Sequence, residues 1–536
     1  MGEVAKSQRS KIDRIQLVAV FKEKLVKQYG LKRIYKQLVE DLKLLEEGIT
    51  INYPIQKKVK CGLLIHPADN LEAHSVSGFS QSFSSKDICR FCHCQYDDLA
   101  DDIHDYGSKV HRKWSKEEYD AAATVVENRK KAERGEDGST DSEAEVTGAD
   151  EDGDEEEVEL FGITHRCPLN ALQAFHCCTG FPPDLLHDLL EGVISQDLLG
   201  VIRILSKKKW FTIEDYNNML QSLNYRGSEA SDRPQSVPLK NTTKKLIGKA
   251  CSVWVHMRNF PFIVRKFVKN EEDPVLKLGL MLHEITERVT AGEIREYEIV
   301  VLEELIVSYL DERKIIAEEY SLLGLPKPKT HFLSHYPQAI RLYGPPLSYW
   351  TARYESRHRL AKNTAETSKN FINISHTVST RQQLRQSSVY YHGMFSTSEM
   401  VISTKVTHKS AVGSKSAFEK SITQYMAETD FLCSEIEFKC QEYKQGQLVV
   451  LKMVIPDEIK VGLILSILVK KNAAFFVTQE YVAYRQNLQY FKAESDDPPT
   501  VINEVSTVAD YKPLVNHGNS SRLYFCLHHH ISFCYP

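Results

Sequence analysis

Apolar residues change their spacing along this chain, and the changes divide it into regions. Between Glu23 and Glu47 they recur at helical intervals (Leu25, Tyr29, Leu31, Ile34, Leu38, Leu42, Leu45), and Gly48 is a suitable stop, so a helix is predicted there. Short apolar runs flank it. Residues 16–22 (QLVAVFK) read as a buried strand, and residues 59–66 (VKCGLLIH) as a second strand ending at Pro67-Ala68-Asp69. Residues 114–134, rich in Glu, Lys and Ala, predict another helix. From Phe161 onward wide apolar stripes dominate, in LLHDLLEGVISQDLLGVIRIL, PVLKLGLMLHEITERV and EIVVLEELIVSYLDERKIIAEEY, and predict a mostly helical body. Residues 224–245 read as an exposed loop within it. Past about residue 400 the texture becomes β-rich. QLVVLKMVI, VGLILSILVK, AAFFVTQEYVAY and RLYFCLHHHIS, separated by turn residues, predict a small antiparallel sheet or barrel over 441–536, joined by a polar linker.

Charge sharpens this division. The net charge of −4 conceals thirteen carboxylates and no cation between Glu136 and Glu159. That tract cannot bury enough apolar surface to fold and is expected to be disordered, with Thr140 and Ser142 as conceivable phosphorylation positions. The rest of the chain then carries an excess of about nine cations, which suits a polyanionic partner or an ordinary solvated surface. No apolar run reaches the roughly 18 residues of a membrane span, and the amino terminus lacks the apolar core of a secretory signal. The expectation is an intracellular protein with reduced cysteines, so clustered cysteines point to metal or packing.

Four features carry candidate chemistry: Asp69 behind an apolar run, Cys89-x-x-Cys92, His331-x-x-x-His335, and Glu355. The thiol pair is half of a tetrahedral site, and the histidines, one helical turn apart, can share an ion. Together they would make a Cys2His2 set that staples distant parts of the chain. Their plainer reading is buried small hydrophobes and satisfied histidines. On a helix Glu355, Arg359 and Lys362 share one face, with His358 adjacent; such a group is a neutralised surface network or a metal ligand facing phosphate. His165, Cys167, His176, Cys177 and Cys178 form a further cluster, read here as buried core thiols with a second zinc as the alternative.

In this order these residues resemble the CACTA (EnSpm) transposases, and more distantly the catalytic core of the V(D)J recombinase. DNLEAHSVSGFSQSFSSKDICRFC is similar to that family's stretch from its second catalytic aspartate to its CxxC, PPDLLHDLLEGV to its internal Asp-x-x-His motif, and KTHFLSHYPQAIRLYGPPLSYWTARYESRHRLAK to its closing segment. The resemblance spans roughly residues 8–400. It implies an α/β fold: an incomplete ribonuclease H-like domain formed by 1–95 and 331–400, interrupted by a linker with the acidic tract (96–160) and a large helical insertion (161–330). A linker (401–440) and a small C-terminal β-rich domain (441–536) would follow. It further implies that Asp69 and Glu355 are metal-binding carboxylates of a two-Mg2+ site, and that Cys89, Cys92, His331 and His335 hold a structural Zn2+. Arg357, Arg359 and Lys362 become candidates for contacts to DNA. Asp184 and His187 match the internal motif, and helix packing is the expected role for them.

The family's first catalytic aspartate lies upstream of the segment that RSKIDRIQLVAVFKEKLVKQYG resembles, where this chain begins, and Asp13 and Asp41 sit on the wrong side to replace it. Two-metal chemistry uses three carboxylates to bind both ions, so the expected function is DNA binding with impaired strand cleavage and transfer. The alternatives are an active Mg2+-dependent DDE transposase completed by another residue or chain, and a protein-interaction scaffold. A nuclear location, DNA as partner, self-association and no membrane partner complete the expectation; Lys207-Lys208-Lys209 is too short to serve as a nuclear address.

Overall fold

The computed structural model describes residues 15–52, 55–83, 86–100, 112–133, 160–225, 228–240, 242–370, 372–391, 400–402, 406–412, 417–438, 441–455, 457–471, 473–487, 489–494, 500–508, 513–517 and 522–530. The acidic tract, Thr140, Ser142 and Asp13 lie outside the described residues.

The first helix, Glu23–Glu47, runs where its apolar spacing places it, but Gly30 (φ 73°, ψ 160°) breaks it into two pieces. Gly48 ends it at φ 106°, a backbone angle that glycine reaches without a Cβ clash. Tyr35 and Val39 are its buried residues. A short antiparallel hairpin follows, pairing Ile49–Asn52 with Gln56–Val59, and its side chains are almost all exposed.

The two strands expected at 16–22 and 59–66 do not form as read. Residues 16–22 belong to no strand and are largely exposed, and of the second run only Val59 reaches the hairpin. Val18 is 72% exposed and Leu64 68%. The physical reason is pairing. An apolar run is compatible with a buried strand, but a strand exists only where a neighbour accepts its ladder. No larger sheet forms among the described residues of this region. Asp69 therefore follows irregular chain, and it caps the helix Asn70–Ser77 by accepting from the Glu72 N–H at 2.8 Å.

That helix stops at Gly78 (φ 88°), where a Cβ would sit 1.9 Å from the His165 carbonyl oxygen. The close crossing joins Gly78 to the segment after the acidic tract, since the Thr164 N–H donates to the Gly78 carbonyl at 2.7 Å. Tyr35, Ala73, Val76, Phe79, Tyr119, Ile163, Leu169, Phe175 and Phe181 share one core, to which the helix Lys116–Glu133 contributes as its sequence suggested. Residues 160–181 thus pack with the N-terminal elements.

The helical body begins with a π-helix, Leu185–Ile194, capped by Asp184 and continued by Ser195–Lys207. Ala250–Val264, Pro274–Val289 and Glu296–Glu319 surround it, and their apolar stripes meet in a second, larger core. Inside that core Arg313 donates to Asp197 through Nε (2.7 Å) and Nη2 (2.9 Å), and the Tyr309 hydroxyl donates to the same carboxylate at 2.5 Å. Among the described residues no helix is long and apolar enough to cross a membrane.

The C-terminal region is β-rich, as expected, but it begins earlier than residue 441. Arg522–Phe525, Phe491–Glu494, Ala473–Arg485, Glu458–Lys470, Phe431–Cys433 and Val406–His408 lie side by side in that order, with Thr500–Glu504 and Leu448–Ile455 added to the two long strands. Met400–Ile402, Glu435–Phe438 and Gln441–Lys444 form a separate three-stranded sheet. Every pairing is antiparallel. The sheet rests on the helical body: Phe262 stacks on His517 and meets Tyr490 and Tyr524, while His530 Nε2 lies 2.8 Å from Glu298 and Arg485 pairs with Glu287. The described residues mix helix and antiparallel sheet.

Candidate metal centre and the adjoining carboxylate cavity

Residues 86–96 fold into a tight loop closed by a bridge between Asp87 and Gln95 and by the Tyr96 N–H donating to the Lys86 carbonyl at 2.8 Å. Cys89 and Cys92 point from this loop into the helical core. There they meet His331, in the short helix Pro328–Phe332, and His335, at the end of the 3-10 turn Leu333–His335. The Nε2 of His331 is 3.2 Å from the Cys92 sulfur, and the Nε2 of His335 is 3.4 Å from Cys89 and 3.7 Å from Cys92. The two Nε2 atoms stand 3.1 Å apart. Around a tetrahedral ion with bonds of about 2.3 Å to sulfur and about 2.0 Å to nitrogen, donor atoms stand roughly 3.3–3.8 Å apart. All four residues are buried, and their ligand atoms lie within 4.8 Å of one another. This group can hold a metal ion such as zinc, and it joins positions 239 residues apart.

The surroundings favour thiolate. Burial pushes the Cys89 thiol up, but the hydrogen bond with Cys92 and the charges of His335 and His331 outweigh it and hold it well below the usual thiol range. The Phe91 N–H donates to the Cys89 sulfur at 3.4 Å. The buried Arg90 guanidinium lies over the Phe91 ring and donates to Asn70 at 2.7 Å; Asn70 in turn donates to Asp188 of the π-helix. The Phe91 ring also packs on the His335 imidazole at 4.7 Å. The loop is therefore anchored to the helix Asn70–Ser77, and through Asn70 to the π-helix, before any ion is considered.

Asp69 and Glu355 line one cavity of about 520 Å³, together with Glu72, Thr351, Arg357, His358 and apolar residues of the two extended runs, among them Ile15, Val18, Leu63 and Ile65. Asp69 is engaged as a helix cap. Glu355, on the helix Ala352–Ser368, has its Oε1 3.2 Å from His187 Nε2. Burial and the charges of Asp184 and Glu191 raise the Glu355 carboxyl above its usual range, against the opposing pull of His187 and His358. Arg357 is 8% exposed and lines this cavity, so it is not a surface cation. Arg359 and Lys362 are exposed.

Asp184 and His187 do more than pack. The buried Asp184 carboxylate accepts from the Thr351 N–H (3.0 Å), the Thr351 hydroxyl (2.7 Å) and the His187 N–H (3.2 Å), and its Oδ2 lies 2.5 Å from His187 Nδ1. An Asp184–His187–Glu355 chain thus links the π-helix to the helix that carries Glu355. The sequence signal was present, an aspartate at a helix start with a histidine one turn inside, but its partner is 168 residues away. Burial lowers the His187 imidazole, but the bond to Asp184 and the charges of Asp184, Glu355 and Glu191 outweigh it, bringing it to about 8. Because this value is raised in the folded state, the stabilisation is full below about 6.5 and is lost as pH rises through about 8. Titration of His187 by NMR should show the raised value, and stability should fall by about 1 kcal/mol between pH 6 and pH 9, less than the full shift because water screens this partly exposed pair. A His187→Gln variant that keeps the same pH dependence would sink this assignment.

Of the remaining cysteine-rich cluster, His176, Cys177 and Cys178 come together, while His165 stands apart against Thr164. No family model matches the chain, and no curated protein matches it in sequence.

Proposed function

We propose that this chain is a transposase-derived DNA-binding protein of the CACTA-like DDE kind, with Zn2+ held by Cys89, Cys92, His331 and His335 and with strand cleavage impaired. Its ribonuclease H-like descent, the helical region as an insertion, a nuclear location and self-association belong to the same proposal. The observation that carries it is the meeting of the two ligand pairs at one corner, beside a cavity lined by Asp69 and Glu355. The thiol pair and the imidazole pair, far apart in sequence and in the transposase order, meet in one buried group, which independent packing residues have no reason to do.

Two Mg2+ ions, where such a site holds them, activate a nucleophile and stabilise the leaving oxygen. The residues here do not fit that pair. Asp69 holds a helix cap, Glu355 faces His187, and no trio of metal-ligating groups that includes either comes within 4.8 Å among the described residues. Binding without cleavage is the reading we adopt.

Arg359 and Lys362 then serve as phosphate contacts. Anisotropy titrations of a labelled duplex should show log affinity falling linearly with log salt, and the Arg359→Ala/Lys362→Ala double variant should reduce the slope by about two. Absence of salt-dependent binding would overturn the DNA role and leave a protein-binding scaffold. Mg2+-dependent nicking of plasmid that Glu355→Gln abolishes would overturn the impairment instead.

A further inference from the structure

We propose that His176, Cys177 and Cys178 form a second zinc site, independent of the first and set in the N-terminal core. The ligand atoms of His176, Cys177 and Cys178 lie within 4.8 Å of one another. Cys167 Sγ lies outside this group of three, next to the Cys177 sulfur, so the three grouped residues supply the donors and a fourth position is left to solvent. These residues are placed by two adjacent elements, the 3-10 turn Pro168–Ala171, which starts directly after Cys167, and the helical turn Cys177–Gly180.

Ordinary buried thiols sit among apolar neighbours and act as small hydrophobes. These border the apolar core too, but polar groups also reach them. Asn170 ties the group together: its Nδ2 lies 3.1 Å from His176 Nε2 and 3.4 Å from the Cys177 sulfur, and its Oδ1 accepts from the Cys177 N–H at 2.8 Å. Asp120 approaches His176 Nε2 at 3.6 Å, and the Cys178 thiol faces the Ser115 carbonyl at 3.6 Å. Amide donors to sulfur and a carboxylate beside an imidazole are the outer partners that metal-bound Cys and His commonly have. An entering ion replaces one hydrogen bond of the imidazole. Two sulfurs and one nitrogen select a thiophilic cation, Zn2+ foremost, over Mg2+ or Ca2+, which take oxygen. On binding, each thiol that ligates releases its proton to solvent and the ion takes the place of the shared protons.

The test uses the full chain, purified with zinc and assayed by elemental mass spectrometry. The wild type should hold about two zinc ions per chain, and the Cys177→Ser/Cys178→Ser and Cys89→Ser/Cys92→Ser variants about one each. Alkylation of the folded wild type gives a readout that needs no variant. Cys177 and Cys178 should become reactive only when a chelator is added. Chelation that exposes Cys89 and Cys92 but leaves the reactivity of Cys177 and Cys178 unchanged would overturn the second site alone. So would a disulfide formed by either of them in the freshly isolated protein.

Discussion

Stripping the ion from the Cys89–Cys92–His331–His335 centre is expected to lower the stability of the helical body by about 4 kcal/mol or more, and Cys92→Ser should have the same effect in the presence of metal. Structural zinc contributes about 10–16 kcal/mol where binding and folding are one event. Here only part of that is at stake, because the loop keeps the Arg90–Asn70–Asp188 contacts and the Phe91 packing without an ion. What is lost is the bond between the loop and the His331–His335 turns, leaving two buried thiols and two buried imidazoles facing one another. Urea denaturation with and without chelator measures this. An unchanged midpoint after complete metal removal would mean that the four side chains are merely packed together.

The second large effect concerns Asp197. Its carboxylate is enclosed with Arg313, which is 2% exposed, and with Tyr309. The Asp197 charge and hydrogen bonds, with help from Tyr309, outweigh burial and raise the Arg313 guanidinium further above its usual range. Asp197→Ala removes the only carboxylate bonded to that cation among the described residues and should cost about 3–5 kcal/mol, most of it the penalty of an uncompensated buried charge. Replacing both partners with apolar residues, Asp197→Leu with Arg313→Met, should recover most of the loss, since desolvation and attraction nearly cancel in such pairs. A loss below about 1 kcal/mol in the single variant would place this pair in water rather than in the core.

Local signals explain what could be read in advance. The helix Glu23–Glu47 was legible from its apolar spacing, and Gly48 as its end from the backbone angle glycine alone tolerates. Long β-rich runs such as 458–470 were legible because apolar residues outnumber polar ones there and β-branched residues dominate. The ligand pairs were legible because thiols and imidazoles at ligand spacing are a chemical signature, whatever the chain does between them. The strands expected at 16–22 and 59–66 failed because pairing is a property of two segments and a sequence pattern describes one. The exposed hairpin over 49–59 went unseen for the opposite reason: it buries almost nothing, so it leaves no apolar mark. The Asp184–His187–Glu355 chain was hidden by distance along the sequence, although each of its members had been singled out.

A single ion held by both Cys92 and His331 would tie the intervening chain into a closed ring. A protease that severs one peptide bond anywhere inside that ring does not release either fragment, because both remain clipped to the same atom. Such nicked molecules would migrate as one species under native conditions, held by the ion as well as by the core the two fragments share, and would come apart at a lower urea concentration after chelation.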